Sequence, residues 1–206
     1  FGPVEVLDFA TISPVVAAET VRNSALAVAA ASVGILLYLT FAFRSVRHPL
    51  RYGVCAVVAL LHDALVVIGM FSILGKISGL EVDTLFITAL LTVIGFSVHD
   101  TIVVFDRVRE NARKLPGADF PAVVNYSLLQ TLGRSLNTSL TVIFTLTALL
   151  LFGGVTIRSF VLALLIGIVS GTYSSIFNAS MLLVAWNEGD FGRLTRWLLR
   201  LAPARG

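Results

Sequence analysis

The sequence predicts an all-α, polytopic helical membrane bundle with five transmembrane helices. Of its 206 residues, 57% are hydrophobic and only 13% are charged, and the mean hydropathy is strongly positive; a soluble domain of this length needs far more polar surface. The apolar residues gather into five runs, each near the roughly 20 residues of helix that cross a bilayer. None of the runs alternates strictly between apolar and polar. Because lipid offers the backbone no hydrogen-bond partner, that pattern selects helices over a closed barrel.

The runs lie at about 23–43, 53–74, 84–105, 134–153 and 160–186. The stretch before the first, "FGPVEVLDFATISPVVAAET", has no basic n-region and no apolar core, so it is neither a signal peptide nor a span. Between the first two runs lies "RSVRHPLRY", with Arg44, Arg47 and Arg51. Arg107, Arg109, Arg113, Lys114 and Arg134 fall between the third and fourth, and Arg193, Arg196, Arg200 and Arg205 follow the fifth. These alternate connections hold 12 of the 15 Lys and Arg, leaving Arg22, Lys76 and Arg158 for the other side. The positive-inside bias makes them cytoplasmic and puts the N-terminus outside. The net charge of +3 then reflects topology, and nucleic acid is not expected as a partner. An outside N-terminus with no visible means of translocation reads as a fragment of a longer chain. The glycines of "FGGV" read as a turn after the fourth run. Residues 187–206 are expected to form a cytoplasmic interfacial tail, with Leu194, Trp197, Leu198 and Leu201 near one side and Arg193, Arg196 and Arg200 near the other.

The polar residues inside the runs are the candidates for function. A charged side chain at the centre of a membrane helix costs about 3 kcal/mol on insertion scales, so it normally has a partner and a task. The second run carries "LLHDAL", with His62 and Asp63, and the third carries "SVHDT", with His99 and Asp100. Adjacent helical residues point about 100° apart, so one member of each pair is expected to face the bundle. In the fourth run Arg134, Thr138, Thr141 and Thr145 recur at helical spacing as a polar stripe headed by a guanidinium. Arg134 and Asp100 lie at comparable depth, and a carboxylate and a guanidinium at one level can offset each other's desolvation. Ser97 and Thr101 continue the polar surface of the third run. The fifth adds Gly167, Ser170, Gly171, Ser174 and Asn178, with the two glycines spaced for close helix approach. The plainer readings run beside these: the histidines as structural neighbours, the threonines bonding their own helix backbone, "DRVREN" as a helix end at the membrane surface, and Cys55 as a small packing residue. No metal-ligand cluster, phosphate loop or nucleophile–base set is present in the sequence, so neither a metal, a cofactor nor an enzymatic activity is expected.

"GFSVHDTIVVFDRVREN", Gly95 to Asn111, resembles the signature of the SecF family, membrane subunits that work with SecD beside the Sec protein-translocation channel. "LLHDALVVIGMF", "TLGRSLNTSLT" and "FVLALLIGIVSGTYSSIF" look like the corresponding segments, and "ISPVVAAE", Ile12 to Glu19, is similar to the stretch before that family's second transmembrane helix. His99 departs from the family, which more often has asparagine there. The resemblance implies a fold like the transmembrane half of a SecD/SecF protein, related to the resistance–nodulation–division transporters. It also implies that residues 1–22 end a truncated periplasmic domain, with SecD separate or fused.

It implies, further, use of the proton gradient to assist preprotein translocation across the bacterial inner membrane. The expected partners are SecD, the SecYEG channel, the preprotein, and also YajC and SecA. Desolvation favours the neutral form of a carboxyl group and a neighbouring guanidinium the ionised form, so a small rearrangement would switch Asp100 between them. A proton entering down about 100 mV releases roughly 2.3 kcal/mol, enough to bias such a rearrangement. The expected relay is Asp100, Arg134 and, second, Asp63, supported by His99, Ser97, Thr101, Thr138 and Thr141. Two rivals remain: a proton-driven small-molecule exporter, which would need large periplasmic domains, and a passive translocon scaffold.

Overall fold

The computed structural model describes residues 14–46, 48–80 and 82–189. The expected interfacial helix of the C-terminal tail, and the stretch before Pro14, lie outside the described residues. Helix α1 spans Pro14–Ala42, α2 Pro49–Ser78, α3 Thr84–Lys114 and α4 Phe120–Phe152. After a 3-10 turn at Val155–Ile157, α5 (Arg158–Tyr173) runs through a π-helical turn at Ser174–Asn178 into α6 (Ala179–Asn187). Among the described residues, five stretches are long and apolar enough to cross a membrane: Val21–Ala42, Pro49–Ser78, Thr84–Lys114, Phe120–Phe152 and Val155–Asn187. The chain is a multi-pass membrane protein.

Local chemistry sets the helix ends. Pro49 opens α2 where its missing N–H costs nothing. Gly79 closes α2 in the left-handed region, φ 68°, with its N–H donating to the Gly75 carbonyl. The Asp83 side chain caps α3 by accepting from the Phe86 N–H at 2.7 Å. Two helices outrun their apolar cores. α3 continues to Lys114 and α4 begins at Phe120, so the expected connection between the third and fourth spans is largely helical, turning only around Gly117.

Side-chain bonds hold that helical hairpin together. Asn111 Nδ2 donates to Ser127 Oγ at 2.9 Å and to Gln130 Oε1 at 3.0 Å across the α3–α4 interface. Arg109 reaches the α1 terminus, donating to the Ala42 carbonyl at 3.2 Å and lying over the Phe43 ring at 5.3 Å. Asn111→Leu is expected to remove both cross-helix bonds at a cost of about 1–3 kcal/mol. An SDS-titration unfolding curve of the variant reads this directly.

In the assembled bundle, α5 packs against α2, α3 and α4, and α1 lies outside on α2. The buried apolar side chains form two separate clusters. One joins Val67, Phe71, Phe86, Leu90, Val93, Leu146 and Leu164. The other, toward the end where the α1–α2 and α3–α4 connections lie, joins Phe43, Tyr52, Phe105, Val108, Leu128 and Leu183. The chain positions between them are polar: Asp63 on α2, Ser97, Asp100 and Thr101 on α3, Ser135 and Ser139 on α4, and Thr172, Ser174 and Ser175 on α5 and the π turn, all buried. A polar layer thus crosses the middle of a hydrocarbon bundle.

Candidate functional site

Two aspartates anchor the layer, 0% and 3% exposed for Asp63 and Asp100. In both His–Asp pairs the aspartate points inward and the histidine is exposed. Asp63 is well served. Its Oδ2 accepts from Ser97 Oγ at 2.5 Å, and its Oδ1 lies 3.5 Å from Ser170 Oγ and 3.1 Å from His62 Nδ1. His62 therefore reaches back to its neighbour despite the 100° between them. Its Nε2 faces Asn178 of the π turn at 3.5 Å. The carboxyl of Asp63 so ties α2 to α3 and α5.

Asp100 differs. Ser139 of α4 stands beside its carboxyl group, while Oδ2 is buried with no partner in the protein. Ser139 Oγ also lies 2.7 Å from Thr172 Oγ1, linking α4 to α5. The hydroxyls of Ser135, Ser174 and Ser180 are likewise buried and unpartnered. An unsatisfied buried polar atom costs about 1–3 kcal/mol. Three of the four, Asp100 Oδ2 and the Ser135 and Ser174 hydroxyls, lie in the polar layer, whereas Ser180 stands beside Ala179 and Leu183 of the apolar cluster toward the basic end.

The threonine stripe of α4 faces away from the polar layer. Thr138, Thr141 and Thr145 are exposed, and their hydroxyls donate to the carbonyls of Arg134, Asn137 and Thr141 within their own helix. The buried face is instead Ser127, Thr131, Ser135 and Ser139, spaced i, i+4. Arg134, one position before Ser135, is exposed, and no ion pair joins it to Asp100. Among the described residues the carboxylate ion pairs are His62–Asp63, Arg107–Glu110, Arg109–Asp106 and Lys114–Glu110. Arg134 lines a cavity of about 170 Å³ between α3 and α4, with Asp106, Arg107, Glu110, Gln130 and Thr131. The pairing expected from equal depth fails because depth along an axis does not fix rotation about it. Thr131 lines that cavity and also stands on the inward hydroxyl line, so the line runs from the cavity to Asp100.

Ser97 and Thr101 are buried as expected, Thr101 donating to the Ser97 carbonyl at 3.1 Å, whereas His99 faces out. Gly167 and Gly171 mark the tightest crossing in the layer. A Cβ on Gly167 would stand 2.2 Å from Val93 Cγ2, and one on Gly171 would stand 3.1 Å from Ser97 Cβ. The π turn was not anticipated. Such turns insert an extra residue into a helix, often at functional sites, and no residue pattern in this run announces it.

The family described as protein export membrane protein SecD/SecF, C-terminal, matches residues 2–189. The chain is 65% identical over 196 residues to a protein translocase subunit SecF of Thermobaculum terrenum, covering 95% of this chain and 62% of that protein. It is 45% identical to the protein translocase subunit SecDF of Bacillus subtilis, over 85% of this chain and 23% of that one. The crystal structure of SecDF, a translocon-associated membrane protein from Thermus thermophilus, superposes with a TM-score of 0.76 at 43% identity, covering 86% of this chain and 24% of that one. The chain thus spans less than two thirds of these relatives.

Proposed function

Because the chain belongs to the protein export membrane protein SecD/SecF C-terminal family, we propose that it is the membrane part of a subunit that couples the proton gradient to preprotein export. In this reading Asp100 is the group that binds and releases the proton. The observation that carries it is the Asp100 Oδ2 atom, buried without a partner in a polar layer sealed above and below by apolar clusters. A neutral carboxyl tolerates that place and a carboxylate does not, so deprotonation must come with rearrangement.

The basic end is cytoplasmic in this proposal, and the membrane is the inner membrane of a bacterium. The proton leaves Asp100 along Ser139, Ser135 and Thr131 to the cavity holding Asp106 and Glu110. Steps of four residues along a helix are about 6 Å, a span that one bridging water closes. Arg134 acts from the cavity side, meeting the carboxylate when α4 shifts rather than as a standing ion pair. Asp63, held by Ser97 and Ser170, is the second relay candidate. SecD, fused to the matching segment in the Bacillus subtilis relative, is the expected partner of the layer's outer faces; SecYEG, SecA, YajC and the preprotein complete the assembly.

The test is preprotein export into membrane vesicles with and without an ionophore. A gradient-dependent component that vanishes when the full-length protein is depleted supports the reading; one that survives depletion unchanged ends it. Ser135→Ala probes the exit line. Losing an unpartnered hydroxyl leaves assembly intact, while gradient-driven export slows by about two- to tenfold, the worth of one relay hydrogen bond.

A further inference from the structure

A second cavity, about 430 Å³, opens at the basic end, where the α1–α2 connection, the start of α2, the end of α3, the start of α4 and the end of α6 converge. No residue of the proton layer lines it. Its walls combine His48, Arg51 and Asn187 with Tyr52, Phe120 and Leu183. Among the described residues Arg51 carries the one full charge in the lining, no carboxylate lines it, and Arg51 belongs to none of the ion pairs. Tyr52 is fixed by stacking on Phe43 at 5.2 Å and by an edge contact with Phe105 at 5.3 Å, so the floor is rigid. His48, the N-cap residue of α2, makes no side-chain hydrogen bond to the helix, and its side chain is exposed at the cavity wall.

We propose that this cavity is a headgroup site for an anionic phospholipid of the leaflet at the basic end. A phosphodiester there meets the Arg51 guanidinium and His48. Its glycerol and upper acyl segments lie against Phe120 and Val46, the partly exposed apolar side chains of the lining. Basic pockets between transmembrane helices on the cytoplasmic side recognise such headgroups. The apolar walls separate this ligand from free phosphate, which has no hydrocarbon to place against them.

The experiment is native mass spectrometry of the full-length protein in detergent with equimolar phosphatidylglycerol and phosphatidylcholine. One phosphatidylglycerol is expected to stay bound in preference to phosphatidylcholine. Arg51→Gln is expected to weaken that retention about five- to tenfold, Arg51→Lys to keep part of it, and Arg44→Gln, an exposed cation lying over Phe41, to leave it unchanged. Thermal stability of each variant, followed with and without phosphatidylglycerol, shows whether it folds and whether the lipid still raises its Tm. Equal retention of the two lipids, or equal retention by wild type and Arg51→Gln, overturns the proposal. Displacement of the lipid by millimolar inorganic phosphate also overturns it, by assigning the site to a soluble anion.

Discussion

Asp100→Asn is expected to assemble into the membrane complex normally and to lose the gradient-dependent part of export. Asparagine matches aspartate in volume, so the packing of α3 against α4 and α5 persists. The Ser139 hydroxyl keeps its contact with Thr172. What disappears is the exchangeable proton: the amide holds one state at every pH of interest. A proton crossing about 100 mV contributes roughly 2.3 kcal/mol, a bias of about fiftyfold between two arrangements. Removing it returns the rearrangement to its unbiased equilibrium. Export rates measured in vesicles, wild type against variant, with and without an ionophore, read the difference. Full gradient dependence in the variant would make Asp100 a packing residue and move the search to Asp63 or to the partner chain. The same measurement on Arg134→Met separates two roles. A variant that loses the gradient-dependent part of export fits action from the cavity; one indistinguishable from wild type removes Arg134 from the relay.

Gly167→Leu is expected to be the most damaging single change to the bundle itself. Even a Cβ at this position meets Val93 at 2.2 Å and 2.6 Å, through two methyl groups of a β-branched side chain on a rigid helix. Neither side yields cheaply, so α3 and α5 must part along the crossing that closes the polar layer. Overpacking of this kind costs about 1–3 kcal/mol for one added group, and a leucine adds more. Gly167→Ala is the graded version, with Val93→Ala as its partial rescue, since that change removes both clashing methyls and leaves Val93 Cβ at 2.9 Å. Gly133→Ala serves as the control. Nothing lies within 4 Å of its added Cβ, and the higher helix propensity of alanine is worth up to about 1 kcal/mol. Unfolding midpoints in SDS should rank Gly133→Ala at or above wild type, Gly167→Ala below it and Gly167→Leu lowest. Equal midpoints for the Gly133 and Gly167 alanine variants would mean that the α3–α5 crossing is looser than the geometry requires.

The two glycines also show how unevenly the site could be read beforehand. Gly167 and Gly171 announced a close approach by their spacing, but not the partner: Val93 and Ser97 were one choice among several helices. Asp63 and Asp100 stood out because a charge in a hydrocarbon run is conspicuous in any context. Ser135 and Ser139 did not stand out, because serine is tolerated anywhere on a membrane helix.

The sequence by itself determined that five helices cross a membrane, that one end of the bundle is basic, and that aspartates lie at mid-span. Each of these follows from composition along the chain, since the bilayer acts on hydropathy, length and charge and on little else. Only the tertiary structure decided how each helix is rotated. α4 offered two polar stripes, one of threonines headed by Arg134 and one of Ser127, Thr131, Ser135 and Ser139. A hydroxyl bonded to its own backbone is content in lipid or in protein, so neither stripe declares its face. The choice fell to the shapes of α3 and α5, which seat the serine line against Asp100 and Thr172 and leave Arg134 at a cavity nearer the basic end. The π turn has the same origin, for an extra residue in one helix turn is settled by what packs around it.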